Sequence, residues 1–245
     1  MKKIVLIFLF LSVAVPAWSL SYIVEGPHPD ADKTYAGDSQ MCWAASLSNV
    51  LSYTGWDAGL TADEIMSVYR GNFPNIGGWF ESGLSYWFNG DDLRGISTGG
   101  GGYYSGIGYS SITTTSIFSK DNLLSDIDSW LHDGSGINLD IEGGGTGHAL
   151  TVYGIEYDET GYTGLWVADG NDGIDTLKYL SIYQQYWNVF KKDVWYIDGG
   201  AYDGWLLNLA SGLEKRSTVP VPEPGAMLLV LCGLPVISRV NSKRS

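Results

Sequence analysis

Apolar residues recur at helical spacing in the first half of the chain. Residues 44–53 place them on one helical face, and Thr61-Ala62-Asp63-Glu64 has the capping-box pattern that opens a second helix, continuing to about Tyr69. A third amphipathic pattern covers residues 120–132. Its apolar side carries Leu123, Leu124, Ile127, Trp130 and Leu131. We therefore predict three helices, whereas the aromatic segment 77–88 is ambiguous.

The second half of the chain has the alternating or continuously apolar pattern of β-strands, rich in β-branched and aromatic residues. The predicted strands cover residues 136–141, 149–157, 165–168, 176–183 and 188–197. Helices followed by antiparallel strands predict an α+β fold, with a helical N-terminal part and an antiparallel β C-terminal part. In such a domain, we expect the active site in the cleft between the two parts.

The N-terminus has the pattern of a secretory signal peptide. Lys2 and Lys3 precede the apolar run 4–15, and Ala17-Trp18-Ser19 is a suitable cleavage site. We predict a signal peptide over residues 1–19 and a mature domain over residues 20–213, with an uncleaved anchor as the alternative.

The C-terminus has a proline-rich linker, an apolar segment and a basic end. We assign the linker to residues 214–224 and a hydrophobic sorting or anchor segment with a basic tail to residues 225–245. Val221-Pro222-Glu223-Pro224, the apolar segment and the terminal Arg/Lys cluster resemble the PEP-CTERM sorting signal. This resemblance implies processing by an exosortase-type enzyme in a Gram-negative cell envelope, with transient membrane contact. A plain C-terminal anchor is the alternative.

Composition and charge exclude some function classes. Hydrophobic residues make up 44% of the chain, which is typical of a globular protein. The formal net charge of -13 argues against a nucleic-acid partner, because phosphate binding needs a basic surface. The glycine-rich segment 95–108 lacks the flanking residues of a phosphate-binding loop.

The chain has two cysteines, Cys42 and Cys232. A disulfide is the default expectation in an exported protein, but Cys232 lies in the C-terminal apolar segment. Cys42 is therefore predicted to be a lone thiol at the start of a helix, where the helix dipole favours the thiolate. A buried, unreactive cysteine is the alternative.

His148 is the best candidate for a base that serves Cys42. It follows the glycine-rich run 143–147 and opens a predicted strand, whereas His132 lies at a helix end and His28 in a proline-flanked segment. Asp169 closes the next strand and is placed to orient the imidazole.

The loop after Asp169 leaves alternatives open. Asn171 or Asp172 could replace Asp169, and the segment 169–173 could be a simple turn. It lacks the acidic spacing of an EF-hand calcium loop. The three histidines are far apart in sequence, so we expect no metal site, and no cofactor is implied.

These residues carry a family resemblance. Three segments resemble papain-like peptidases of the immunoglobulin-degrading IdeS/Mac family. They are Lys33-Thr34-Tyr35-Ala36-Gly37 followed by Cys42-Trp43-Ala44-Ala45, the block from His148 to Asp158, and the block from Val167 to Asp172. The resemblance implies a papain-like fold, with Cys42 as nucleophile, His148 as general base and acid, Asp169 as orienter and Lys33 in the oxyanion hole.

The sequence departs from the family pattern near the catalytic residues. The segment from Lys33 to Cys42 is one residue shorter, and Asn171 stands where the family has a second acidic residue. Gln40 is a rival oxyanion donor, and Asn171 is a candidate supporting residue. These departures leave the substrate and the oxyanion geometry open.

The predicted activity is hydrolysis of peptide bonds in a protein or peptide substrate through a thioester. Two alternatives remain. An acyltransferase or amidase would use the same triad, and a non-catalytic glycan- or matrix-binding protein would use the 10 Trp and 16 Tyr residues.

Overall fold

The structure is a computed structural model that describes residues 19–118, 122–188 and 191–217. The predicted signal peptide before Ser19, most of the predicted linker, the C-terminal sorting segment and Cys232 lie outside these residues. The chain divides into two compact units, residues 1–215 and 216–245, and only Arg216 and Ser217 of the second are described. Within the described ranges, no helix has the length and apolar character needed to cross a membrane.

Four α-helices lie in the described ranges: α1 Cys42–Thr54, α2 Ala62–Asn72, α3 Phe80–Asn89 and α4 Leu123–His132. The predictions of α1, α2 and α4 are confirmed, and the ambiguous aromatic segment forms α3. The capping box is also confirmed, because Thr61 accepts from the Glu64 amide while the Glu64 carboxylate accepts from the Thr61 amide.

Eight strands form one antiparallel sheet over the described residues. They are β1 Leu20–Ile23, β2 Thr113–Ile117, β3 Gly136–Gly143, β4 Thr146–Asp158, β5 Gly161–Ala168, β6 Lys178–Trp187, β7 Lys192–Asp198 and β8 Leu206–Leu213. Strands β4, β3, β8, β7, β6 and β5 pair in this order, and β5 pairs again with β4. Six strands thus close into a barrel, with β1 added to β4 and β2 to β8.

The predicted papain-like fold, with a helical N-terminal part and an antiparallel β C-terminal part, is wrong. The described chain is mostly β, and its helices do not form a separate first half. β1 precedes all helices, β2 lies between α3 and α4, and α4 packs in the apolar cluster of the barrel. The pattern hid this arrangement because β1 is largely exposed and β2 (TTTSI) is largely polar, so neither shows the apolar pattern of a buried strand.

Two apolar clusters make up the core. One fills the barrel and includes the buried face of α4. The other lies around α1, α2 and α3 and reaches the sheet through Ala149 of β4 and Leu213 of β8. Helix α1 therefore packs directly against the strand that carries His148.

Candidate active site

Buried polar contacts fasten α1 to β4. Ser46 Oγ donates to the Leu150 carbonyl at 2.9 Å, and Asn49 Nδ2 donates to Thr151 Oγ1 at 3.1 Å. Ser46, Asn49 and Thr151 are at most 3% exposed. Because the residues that form these bonds are buried, loss of a bond would leave unpaired polar groups. These contacts fix the helix against the strand, and the first turn of α1 lies beside the start of β4.

Cys42 and His148 meet at this point. Cys42 is the first residue of α1, and its side chain lines the same cleft as His148, close enough for each to shift the pKa of the other. Burial raises the pKa of the Cys42 thiol, but His148, the Ala149 amide and the charge of Lys33 outweigh burial and leave the pKa below its usual value. Burial lowers the pKa of His148, but bonds to Asp169 and Cys42 raise it above its usual value. The two shifts favour a thiolate–imidazolium pair.

Asp169 orients the imidazole. His148 Nε2 donates to Asp169 Oδ1 at 2.8 Å, and the two residues are only 6% and 2% exposed. Antiparallel pairing of β4 with β5, in which Thr151 lies opposite Ala168, brings the end of β5 to the start of β4. Since Nε2 is bonded to Asp169, Nδ1 is the ring nitrogen left for the thiol and for the reacting groups.

Two further residues hold Asp169, and sequence reasoning missed both. Tyr202 donates its hydroxyl to Asp169 Oδ2 at 2.8 Å, and Lys178 Nζ lies 3.1 Å from the same oxygen. The Tyr202 ring also stacks on His148, with ring centroids 5.2 Å apart and planes inclined by 24°. Although burial opposes it, the bonds from His148, Tyr202 and Lys178 hold the pKa of Asp169 well below its usual range.

Lys33 lines the same cleft as Cys42. It is 8% exposed, and its Nζ donates to the Ser39 carbonyl at 2.9 Å. The fully buried Asp38 shapes this loop by accepting from the Thr34 amide at 2.9 Å. The Cys42 amide is the first of α1 and has no intrahelical carbonyl to bond.

Gln40 and Asn171 border the site. The exposed Gln40 lines the cleft, and its backbone amide donates to Asn75 Oδ1 at 2.8 Å. Asn171 Nδ2 lies 3.4 Å from His148 Nδ1, on the side of the ring away from Asp169. Asp172, the alternative orienter, instead pairs with Lys178 at 3.2 Å.

The other histidines are engaged elsewhere. His28 bonds the Val24 carbonyl at 2.9 Å, and His132 lies 3.2 Å from Asp128 Oδ1 at the end of α4. In the part of the chain that the structure describes, no group of three His, Cys, Asp or Glu side chains is arranged to hold a metal ion.

The cleft that contains Cys42 and His148 has a volume of about 650 Å³. Trp43, Gly78 and Trp79 line one side, and the β3–β4 hairpin lines the other. This volume is within the range of ligand-binding clefts in proteins.

Comparison with known proteins adds no relative: no protein-family model matches this chain, and no curated protein matches it either.

Proposed function

We propose that this protein is an exported cysteine endopeptidase that hydrolyses peptide bonds through Cys42, His148 and Asp169. The observation that carries the proposal is the arrangement of Cys42 and His148 in one open cleft, with His148 hydrogen-bonded to the buried Asp169 and lowering the pKa of Cys42. The IdeS/Mac resemblance of the sequence supports the same three roles.

The first half-reaction forms a thioester. The Cys42 thiolate attacks the carbonyl carbon of the scissile peptide bond, and the carbonyl oxygen becomes an oxyanion. Lys33 Nζ and the Cys42 amide supply its hydrogen-bond donors. When the tetrahedral intermediate collapses, the carbon–nitrogen bond breaks and the His148 imidazolium gives its proton to the leaving amine.

The second half-reaction releases the acid. His148, now neutral, takes a proton from a water molecule, and the resulting hydroxide attacks the thioester carbon. The carbon–sulfur bond then breaks, the carboxyl product leaves and Cys42 returns to the thiolate. Asp169 stays ionised throughout and stabilises the imidazolium each time it forms.

Export and envelope location are part of the proposal. The N-terminal pattern supports a signal peptide, and the C-terminal pattern supports processing by an exosortase-type enzyme with transient membrane contact. A protein or peptide outside the cytoplasm is then the substrate class.

Two measurements on the mature protein test the proposal. We expect iodoacetamide to alkylate Cys42 of the folded protein faster than a free thiol at pH 7, and we expect wild type to cleave members of a peptide library that Cys42→Ala leaves intact. Product masses separate hydrolysis from transfer to an amine. If Cys42 resists alkylation until the protein is denatured and no peptide is cleaved, the proposal is wrong.

A further inference from the structure

Two carboxylates line the cleft beside the reactive pair. Asp140 and Glu142 lie on β3, and both contribute to the wall of the cleft that contains Cys42 and His148. In the β3–β4 pairing, Asp140 lies opposite Ala149 and Glu142 opposite Gly147, the residues on either side of His148. Asp140 and Glu142 therefore flank Ile141, the residue that pairs with His148, and both line the cleft of the reactive pair.

Asp140 forms no ion pair with another described residue. Its hydrogen bond comes from the neutral amide of Asn138, whose Nδ2 lies 3.1 Å from Asp140 Oδ1. Among the described residues, no Lys, Arg or His lies within 4.0 Å of its oxygens as an ion-pair partner. Burial raises the pKa of Asp140 to about 6, and Glu81 adds to the rise, although Asn138 and His148 oppose it. The carboxylate is therefore charged at neutral pH but poorly compensated.

Two of the described groups that line the cleft can carry a positive charge, His148 and Lys33. Lys33 is the one Lys or Arg among the described residues that line it, and Lys33 Nζ is engaged by the Ser39 carbonyl. Lys33 also acts on Cys42, for which it lowers the pKa. Because His148 is engaged by Asp169 and Lys33 by Ser39, the wall formed by β3 has two carboxylates without an ion-pair partner among the described residues, and a cationic substrate group would supply one.

We propose that Asp140, together with Glu142, selects substrates that carry an Arg or Lys side chain next to the scissile bond. This inference rests on the proposed peptidase function and names its substrate class. A guanidinium or ammonium group beside Asp140 would pair a partly buried carboxylate, which strengthens the interaction relative to a surface ion pair. An acidic side chain in the same place would meet two like charges.

Matched peptidyl chloromethyl ketones provide the test, because they alkylate Cys42 without requiring peptide turnover. Each set differs at one of the two residues next to the reactive group, which is Arg, its neutral isostere citrulline, or Glu. For wild type we expect second-order inactivation with Arg to be about tenfold faster than with citrulline at one of these positions, and slowest with Glu. All reagents react with the same thiol, so their rate ratio is independent of the thiolate fraction.

Substitutions of Asp140 and Glu142 test whether these two carboxylates cause the preference for Arg. Asp140→Asn should bring the Arg-to-citrulline ratio close to one, and Glu142→Gln, at an exposed side chain, should reduce it by a smaller factor. The control is Glu159→Gln, which removes the same charge in the exposed turn after the far end of β4 and should keep the wild-type ratio. In wild type, the ratio should also fall as salt is added.

Two failures are distinguishable. The specificity proposal is wrong if wild type cleaves library peptides and Cys42 is alkylated rapidly, but wild type reacts equally with the Arg and citrulline reagents or Asp140→Asn and Glu142→Gln both keep the wild-type ratio. The peptidase function is then unaffected. If neither iodoacetamide nor any peptidyl reagent modifies Cys42 of the folded protein, the peptidase function fails and the specificity proposal fails with it.

Discussion

At the scale of single residues, the reactivity assigned to Cys42 comes from its neighbours. Burial alone would keep the thiol protonated, and the contact with His148 reverses this effect. The bond to Asp169 in turn raises the pKa of His148 against the effect of burial, and bonds from His148, Tyr202 and Lys178 lower the pKa of Asp169. The pKa of each residue in this series therefore depends on the next residue, and a substitution of the next residue tests that dependence.

Removing the imidazole of His148 should raise the pKa of the Cys42 thiol, because burial raises this pKa and His148 lowers it. In wild type, the thiolate is present above the lowered pKa of Cys42 and is lost as the pH falls through it. In His148→Ala, we expect the midpoint of the alkylation-versus-pH curve to rise above the wild-type value, and the rate at pH 7 to fall about tenfold or more. Iodoacetamide kinetics between pH 5 and 10 measure both effects. An unchanged midpoint would show that His148 does not ionise Cys42.

Tyr202 should act as a positioning residue whose two contacts can be separated. Tyr202→Phe keeps the ring on His148 and removes the donor to Asp169, which makes that carboxylate more basic. We expect kcat/KM to fall about tenfold, and the alkaline limb of its pH profile to move upward because the pKa of His148 rises further.

Tyr202→Leu serves as the comparison, since it removes both contacts and should lower kcat/KM further. A loss of thermal stability in Tyr202→Phe without movement of the alkaline limb would indicate a structural role alone.

At the scale of elements, the loop after β5 must pass close to α1 to deliver Asp169. Gly170 makes this approach possible, because a Cβ added there would lie 2.8 Å from the Ala31 carbonyl oxygen and 2.8 Å from Ala45 Cβ. The Gly170 carbonyl also accepts from the Lys33 amide at 2.9 Å, so one residue links the Asp169 loop to the Lys33 loop.

Gly170→Ala should therefore damage both stability and activity. We expect a loss of about 1–3 kcal/mol in the free energy of unfolding, together with a lower kcat as Asp169 and Lys33 move. Urea unfolding and peptide cleavage provide the measurements. The control is Gly71→Ala in α2, where an added Cβ meets no atom within 4 Å; it should be neutral or stabilising by up to about 1 kcal/mol. Equal effects of the two substitutions would contradict the packing argument.

Periodicity predicted helices α1, α2 and α4 and strands β3 to β7, whose predicted segments overlap the observed ones. It missed β8, although most residues of this strand are buried. The short strands β1 and β2 are extended because they pair with β4 and β8, and their own side chains carry little of the signal. Hydrophobic periodicity considers each segment alone, so it does not predict a strand that is extended because of its partner strand.

At the scale of the whole molecule, closure of the barrel completes the candidate site. Cys42, His148, Asp169 and Lys33 could be proposed from motifs, because each lies at the start or end of a predicted element or in a recognisable segment. Tyr202 lies 33 residues after Asp169 in a short turn between β7 and β8 and has no local signal. Its position follows from the pairing of β5, β6, β7 and β8 around the barrel, which one sequence does not specify.

The acidic character of the whole molecule has a consequence for its stability. Both carboxylate oxygens of Asp30 are buried without a hydrogen-bond partner among the described residues. Burial raises the pKa of Asp30 to about 7, and nearby carboxylates add to the rise. These carboxylates belong to Asp32, Asp172, Asp169 and Asp175.

Asp30→Asn should abolish part of the pH dependence of stability. Between the unfolded pKa of about 4 and the folded pKa of about 7, native Asp30 keeps a proton that the unfolded chain releases, so raising the pH through this window destabilises the protein. The raised pKa of Asp140 acts in the same direction. We therefore expect the Tm of wild type to be several degrees lower at pH 7.5 than at pH 5, and Asp30→Asn to have a higher Tm than wild type at pH 7.5.

At pH 4.5, where native Asp30 is already protonated, the two proteins should melt within about a degree of each other. A Tm difference of equal size at both pH values would mean that Asp30 acts through packing and not through its charge.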